Sequence, residues 1–226
     1  MSAYEKPVIT RLSSGTMNKV GRSLAYERRV RTEIDGVAVE ELAARFGSPL
    51  FVFSERRLRR RYREVHQAFS ARYPRVEFGW SYKTNYLGAI CALMHREGAL
   101  AEVVSGMEFD MALRLGVPGE RIILNGPYHP AALLRRAAEA GAAVNLDNLD
   151  QLCDMERAAG GLGRQVDVGL RVNLDAGISP QWSRFGFNLE NGQAFEAARR
   201  LRSGGTLRLD RLHCHPGTFI REPAAY

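Results

Sequence analysis

Short apolar runs alternate with stretches in which apolar residues recur every three or four positions, and the alternation sets in after a polar lead of roughly 35 residues. The runs occupy 50–54, 76–83, 100–105, 122–126, 142–147, 166–173 and 207–215. Between them the spacing predicts helices near 55–70, 86–97, 106–116, 130–140, 148–159 and 191–203, each long enough for a β-α-β crossover. Parallel β/α architecture follows. Start and stop signals keep the same phase: Ser105-Gly-Met-Glu108 has the S-x-x-E form of a capping box, and Pro130 and Asp147 stand where a first turn or cap is due. Gly98, Gly116 and Gly141 follow helices, where a C-terminal glycine belongs. There are no fixed-period repeats.

With 50–54 outside the barrel, the remaining strands number six. That is two short of a (β/α)8 barrel, whose usual length is about 250 residues. Six parallel strands with barrel curvature leave two open edges. The expectation is therefore either an open doubly wound sheet or part of a larger structure.

Composition narrows the class. With 45% hydrophobic and 25% charged residues the chain is an ordinary globular one, and no apolar run reaches the ~18 residues of a membrane span, which excludes disorder and membrane insertion. The N-terminus lacks the apolar core of a secretory signal, so a cytoplasmic location is expected. Cys91, Cys153 and Cys214 are odd in number and show no C-x-x-C spacing, which predicts reduced thiols rather than a disulfide framework or zinc site. The net charge of +7 suggests an acidic partner, but only Lys6, Lys19 and Lys83 among 32 basic residues are lysines, and this skew reads as an arginine bias rather than a nucleic-acid face. The densest basic run, Arg56 to Arg63, interleaves with Leu58, Tyr62, Val65 and Phe69 at helical spacing, as on a solvated helix face.

Three places carry candidate chemistry. Lys83 closes the run 76–83 and so sits at the C-terminal end of a parallel strand, where β/α barrels place reactive groups. Walled by Trp80 and Tyr82, its charged form would be disfavoured, leaving the neutral amine that a Schiff base requires; the bland alternative is a lysine reaching solvent or a carboxylate. His213 and His215 share one face of the last strand, with Cys214 on the other. No H-E-x-x-H or C-x-x-C partner supports a metal, whereas the turn Pro216-Gly-Thr218 suits a phosphate and His215 offers a flat ring to a planar cofactor. Arg171, on an otherwise apolar strand, needs a partner, either an anionic ligand or Glu102, or else a salt bridge in the barrel wall. Glu108 is accounted for by its cap.

Read in order, Ser81-Tyr-Lys-Thr-Asn85, Ala101-Glu-Val-Val-Ser-Gly-Met-Glu108, Ile122-Ile-Leu-Asn-Gly-Pro127, Val144-Asn-Leu-Asp147, Leu170-Arg-Val-Asn173, Ser183-Arg-Phe-Gly186 and Leu212-His-Cys-His-Pro-Gly-Thr218 resemble the strand-end motifs of diaminopimelate decarboxylases. The wider group is the fold type III, alanine-racemase-like pyridoxal-phosphate decarboxylases, which includes ornithine decarboxylase. The resemblance spans about residues 47 to 226. It implies an N-terminal extension over 1–47 and, over 48–226, a partial TIM-type barrel of about six β/α units without the family's C-terminal β domain. It further implies a lyase that releases the carboxylate of a basic or diamino acid, works as a homodimer, and binds neither nucleic acid nor membrane.

The same resemblance implies roles. Lys83 is the Schiff-base lysine for pyridoxal 5′-phosphate, His215 stacks on its ring, Thr218 binds near the phosphate and Arg171 lies close to the ring. Glu102 stands where the family usually has an aspartate that pairs with the released lysine. Glu102 for aspartate, Thr218 for serine and the Ser-Tyr-Lys-Thr-Asn context together suggest a side branch of the family. The family's glycine-rich phosphate loop and its acid at the pyridine nitrogen lie beyond Tyr226, so the chain alone is expected to bind the cofactor weakly and not to turn over. Other readings are a non-catalytic split half that assembles with a partner chain, a racemase, and a single-domain homeostasis-type barrel, for which Lys83 lies too far into the chain.

Overall fold

The computed structural model describes residues 31–177, 182–217 and 220. The chain divides into two compact units, Met1–Ser54 and Glu55–Tyr226. In the first, β1 (Glu33–Ile34) and β2 (Val37–Ala38) pair antiparallel and lead into α1 (Val39–Phe46). Asp35 and Gly36 join the strands at φ 51° and 84°, the left-handed pair of a tight hairpin turn. The run 50–54 forms no strand, against expectation, and Phe51 is 90% exposed. An apolar run becomes a strand only beside a ladder partner, and none pairs with it among the described residues.

The second unit opens with α2 (Glu55–Ser70) and continues β3 (Gly79–Ser81), α3 (Gly88–Arg96), β4 (Leu100–Val103), α4 (Gly106–Arg114), β5 (Ile122–Leu124), α5 (Ala131–Ala140), β6 (Ala143–Leu146), α6 (Leu149–Ala159) and β7 (Val166–Asn173). It closes with β8 (Phe187–Asn188), α7 (Gln193–Arg202) and β9 (Leu207–Cys214). Strands β3 to β7 lie side by side in chain order, all parallel, and β9 pairs with β7. The short β8 pairs with the end of β7 at Val172 and Asn173. Because Val172 also pairs with Cys214 of β9, β8 must occupy the edge that β6 leaves at Leu170. The order never reverses, so right-handed crossovers lay the helices on one face of the sheet. That is the winding of a barrel and not of a doubly wound sheet. Among the described residues the outer edges of β3 and β9 carry no further strand.

The helix-covered face is apolar. Val103, Leu124, Val144, Leu146, Val168 and Leu170 have no exposed surface and pack with Phe109, Leu134, Leu152 and Met155 in one cluster. Full burial of each such side chain contributes about 1.5–3 kcal/mol. A second cluster joins Leu58 and Tyr62 of α2 to Ile90, Leu93, Met94, Ala99 and Trp80. The arginine-rich face of α2 is largely solvated, yet Arg59 and Arg63 both grip the Glu97 carboxylate, with Arg63 Nε 2.5 Å from Oε2. Those hydrogen bonds hold the Glu97 pKa down to about 2.

Candidate active site

Register fixes which residues share the opposite, open face. Ser81 lies beside Glu102 and Glu102 beside Ile123, while Asn145 lies beside Gly169 and Arg171 beside His213. Neighbours across a parallel ladder project the same way, so a strand's alternate residues carry this face polar. Asn125, just past β5, donates from Nδ2 to Glu102 Oε1 at 2.8 Å and accepts at Oδ1 from Asn145 Nδ2 at 2.7 Å. A hydrogen-bonded line thus crosses β4, β5 and β6. It ends over Gly169, where an added Cβ would stand 2.0 Å from Asn145 Oδ1 and 2.6 Å from Arg211 Cγ, so only glycine leaves Asn145 its place.

Lys83 does not close a strand. β3 ends at Ser81, and Lys83 stands exposed in the turn that leads to α3. Trp80 and Tyr82 do not wall it off either. Trp80 packs into the cluster beneath α2 and α3, and Tyr82 is fully buried on the helix side, its hydroxyl 2.7 Å from His95 Nε2. His95 Nδ1 faces the carbonyl of Ala99 at 2.9 Å and must donate to it, so Tyr82 donates to Nε2. The expectation of a desolvated lysine is therefore corrected: alternation sends the two aromatic rings to the helices and leaves the amine facing water. Lys83 is nevertheless close enough to His215 for its charge to push the imidazole pKa downward.

Arg171 does not pair with Glu102 but forms a salt bridge, the alternative its place on the strand left open. Its Nη1 donates to Asp147 Oδ1 at 2.9 Å, with both side chains nearly buried, and its guanidinium lies 5.0 Å from the Phe185 ring centre. Asp147 is free for this because Asn148, one residue on, is the N-cap of α6, accepting from Gln151 N at 2.9 Å. Ser105 caps α4 as predicted, its Oγ accepting from the Glu108 N–H at 3.3 Å, while the Glu108 carboxylate accepts from Val104 N at 2.6 Å, one residue before the cap. The two histidines share the open face. Burial and the Arg171 charge push His213 down to about 4, against the opposing pull of Glu102 and Asp147. Burial, Arg171 and Lys83 lower His215 in the same direction, while Trp182 meets its ring edge-on at 5.5 Å. Thr218 lies outside the described residues. Lys83, Glu102, Arg171, His213 and His215 therefore gather at the C-terminal ends of β3, β4, β7 and β9.

Sequence reasoning missed Asn125, Asn145 and the pairing role of Asp147. Glu102 lies in register with Ile123 and Ala143, and Asn125 and Asn145 follow two residues further along the same face, a placement that only the strand pairing reveals. Among the described residues no cluster of three or more histidine, cysteine or acidic side chains could hold a metal. The donor set suits a planar anionic aldehyde instead. Ser81 Oγ, Asn145 Oδ1 and His213 Nδ1 are buried without a protein partner on the open face, next to an exposed amine, an imidazole ring and a guanidinium. Such orphaned atoms invite a polar ligand. Pyridoxal phosphate fits: Lys83 would meet its aldehyde, His215 its ring, and Arg171 its charged periphery.

Comparison with known proteins gives the same answer. A diaminopimelate decarboxylase of Aquifex aeolicus is 30% identical over 203 residues, which covers 85% of this chain and 47% of the relative. One from Actinosynnema pretiosum is 33% identical over 204 residues, covering 85% and 45%. The crystal structure of the M. jannaschii diaminopimelate decarboxylase in complex with L-lysine superposes with a TM-score of 0.76 at 28% identity, covering 84% of this chain and 47% of that one. The chain spans about half the length of the curated relatives it matches. The family described as pyridoxal-dependent decarboxylase, pyridoxal binding domain, matches residues 55–226. The chain belongs to the pyridoxal-dependent decarboxylases, and the parallel sheet with its polar open face is their pyridoxal-binding barrel portion.

Proposed function

We propose that this protein binds pyridoxal phosphate through Lys83 and serves the decarboxylation of a basic or diamino acid, acting as a homodimer in the cytoplasm. The observation that carries the reading is the gathering of Lys83, Glu102, Arg171 and His215 at one end of the open face, in the order of the family's motifs. The substrate class rests on the relatives, which are named diaminopimelate decarboxylases, one of them solved with L-lysine. No helix among the described residues is long and apolar enough to cross a membrane.

When bound, the cofactor supplies an electron sink for the bond that loses carbon dioxide. The protein's own residues do the rest. Lys83, exposed in a short turn, presents at the strand ends an amine that can take up or return a proton there. Glu102 faces the same space with one carboxylate oxygen fixed by Asn125, so its other oxygen is left to pair with an ammonium group. Burial favours the neutral forms of the two histidines, and Arg171, held by Asp147 beside them, adds to that effect. A neutral His215 ring is free to lie flat against a planar ligand.

The test is an absorbance titration of the chain with pyridoxal phosphate. A new band at visible wavelengths is expected in the wild type and absent in Lys83→Ala. A band that persists in Lys83→Ala, or that never forms in the wild type, overturns the proposal.

A further inference from the structure

Phe185 stands at φ +64°, a left-handed conformation that costs a bulky residue about 1–2 kcal/mol. The residue is 44% exposed, so core burial does not offset that cost. What the conformation achieves is contact with Arg171. The ring lies 5.0 Å from the guanidinium carbon, and the next residue, Gly186, donates its N–H to Asp147 Oδ2 at 3.2 Å while Asp147 Oδ1 accepts from Arg171 at 2.9 Å. Gly186 sits at φ +86°, and a Cβ there would stand 2.8 Å from the Arg171 carbonyl oxygen. Asn173 ties the segment to the end of β7, donating from Nδ2 to the carbonyls of Trp182 at 3.0 Å and Phe185 at 3.3 Å.

We infer that Phe185 is a positioning residue: its strained backbone lays the ring on the Arg171 guanidinium and, through Gly186, closes a clasp that fixes the arginine against Asp147. Backbone strain without a packing return marks sites where placement matters more than stability. The value of the clasp to cofactor binding rests on the reading proposed above; the clasp itself does not.

Phe185→Asn, Phe185→Leu and Phe185→Tyr in the whole chain separate these claims. Asparagine tolerates the left-handed region but has no ring, leucine keeps bulk without a π face, and tyrosine keeps both. Phenylglyoxal modification of Arg171, mapped by mass spectrometry without cofactor, is expected to quicken by about 2- to 30-fold in the asparagine and leucine variants, the range a cation–π contact spans. The tyrosine variant stays at the wild-type rate. The asparagine variant melts no lower than wild type. Wild-type protection of Arg171 in the asparagine variant, or protection restored by leucine, overturns the clasp. With pyridoxal phosphate added, affinity is expected to fall by a similar factor in the asparagine variant; equal affinities overturn the clasp's service to the cofactor. Absence of Lys83-dependent binding in the wild type overturns the cofactor reading and leaves the arginine result to decide the clasp.

Discussion

The two faces of the sheet obey different rules. On the helix-covered face Val103, Leu124, Val144 and Leu170 are fully buried among aliphatic and aromatic neighbours, and nothing there can bond a ligand. On the open face, one residue along the same strands, stand Glu102, Asn125 and Asn145, joined in one hydrogen-bonded line, with Arg171 paired to Asp147 and His213 Nδ1 buried without a partner beside them. A strand's two-residue period lets one short segment serve both ends, stability on one side and chemistry on the other.

The sharpest way to break this contrast is to cut each face separately. Leu124→Ala removes buried methyl groups from the apolar face and is expected to cost about 2–5 kcal/mol in denaturant unfolding, with any cofactor band retained while the protein remains folded. Lys83→Ala should leave the unfolding midpoint where it was, since its side chain is exposed. A large stability loss from the lysine change and none from the leucine change would dissolve the distinction.

Gly169→Ala probes the place where the open face meets packing. The new Cβ would stand 2.0 Å from Asn145 Oδ1, so the asparagine must leave its bond to Asn125. A loss of about 1–3 kcal/mol is expected, with weaker cofactor binding alongside it, because Glu102 loses its anchored neighbour. Unchanged stability and binding would mean that the line of amides can re-form elsewhere.

A smaller effect concerns acid. His213 is pushed down to about 4 in the folded chain from an ordinary 6.5, so the unfolded chain binds more protons between those values. Its contribution to stability is complete above pH 6.5 and is lost as the pH falls toward 4. Melting temperatures across that interval should show a shallower decline in His213→Gln than in wild type. His95, His129 and His215, also lowered chiefly by burial, keep part of the slope in both. Identical slopes would place His213 in water.

Most of the β/α phase was legible because each helix and strand carries its own period. The helix over 55–70 and the strand over 166–173 fall on their predicted bounds. What pattern alone missed depended on distant partners. The run 50–54 has strand composition and no ladder, whereas the β1–β2 hairpin lay in the polar lead behind an Asp35-Gly36 turn that does announce it. In the site, Lys83, Glu102, Arg171 and His215 were singled out from the strand-end motifs, and they stand near the C-terminal ends of β3, β4, β7 and β9. The partners that hold them were not: Asp147 reaches Arg171 across 24 residues, and Asn125 reaches Glu102 across 23. Nor could sequence say that Trp80 and Tyr82 turn away from Lys83, since that depends on where β3 stops.

The chain has only three lysines, Lys6, Lys19 and Lys83, which makes one measurement especially direct. Borohydride reduction in the presence of pyridoxal phosphate, followed by peptide mass spectrometry, fixes the cofactor wherever its aldehyde has joined an amine. The label is expected on Lys83. A label spread evenly over the three lysines and the N-terminus, or none at all, would contradict the assignment of the open face as the cofactor site.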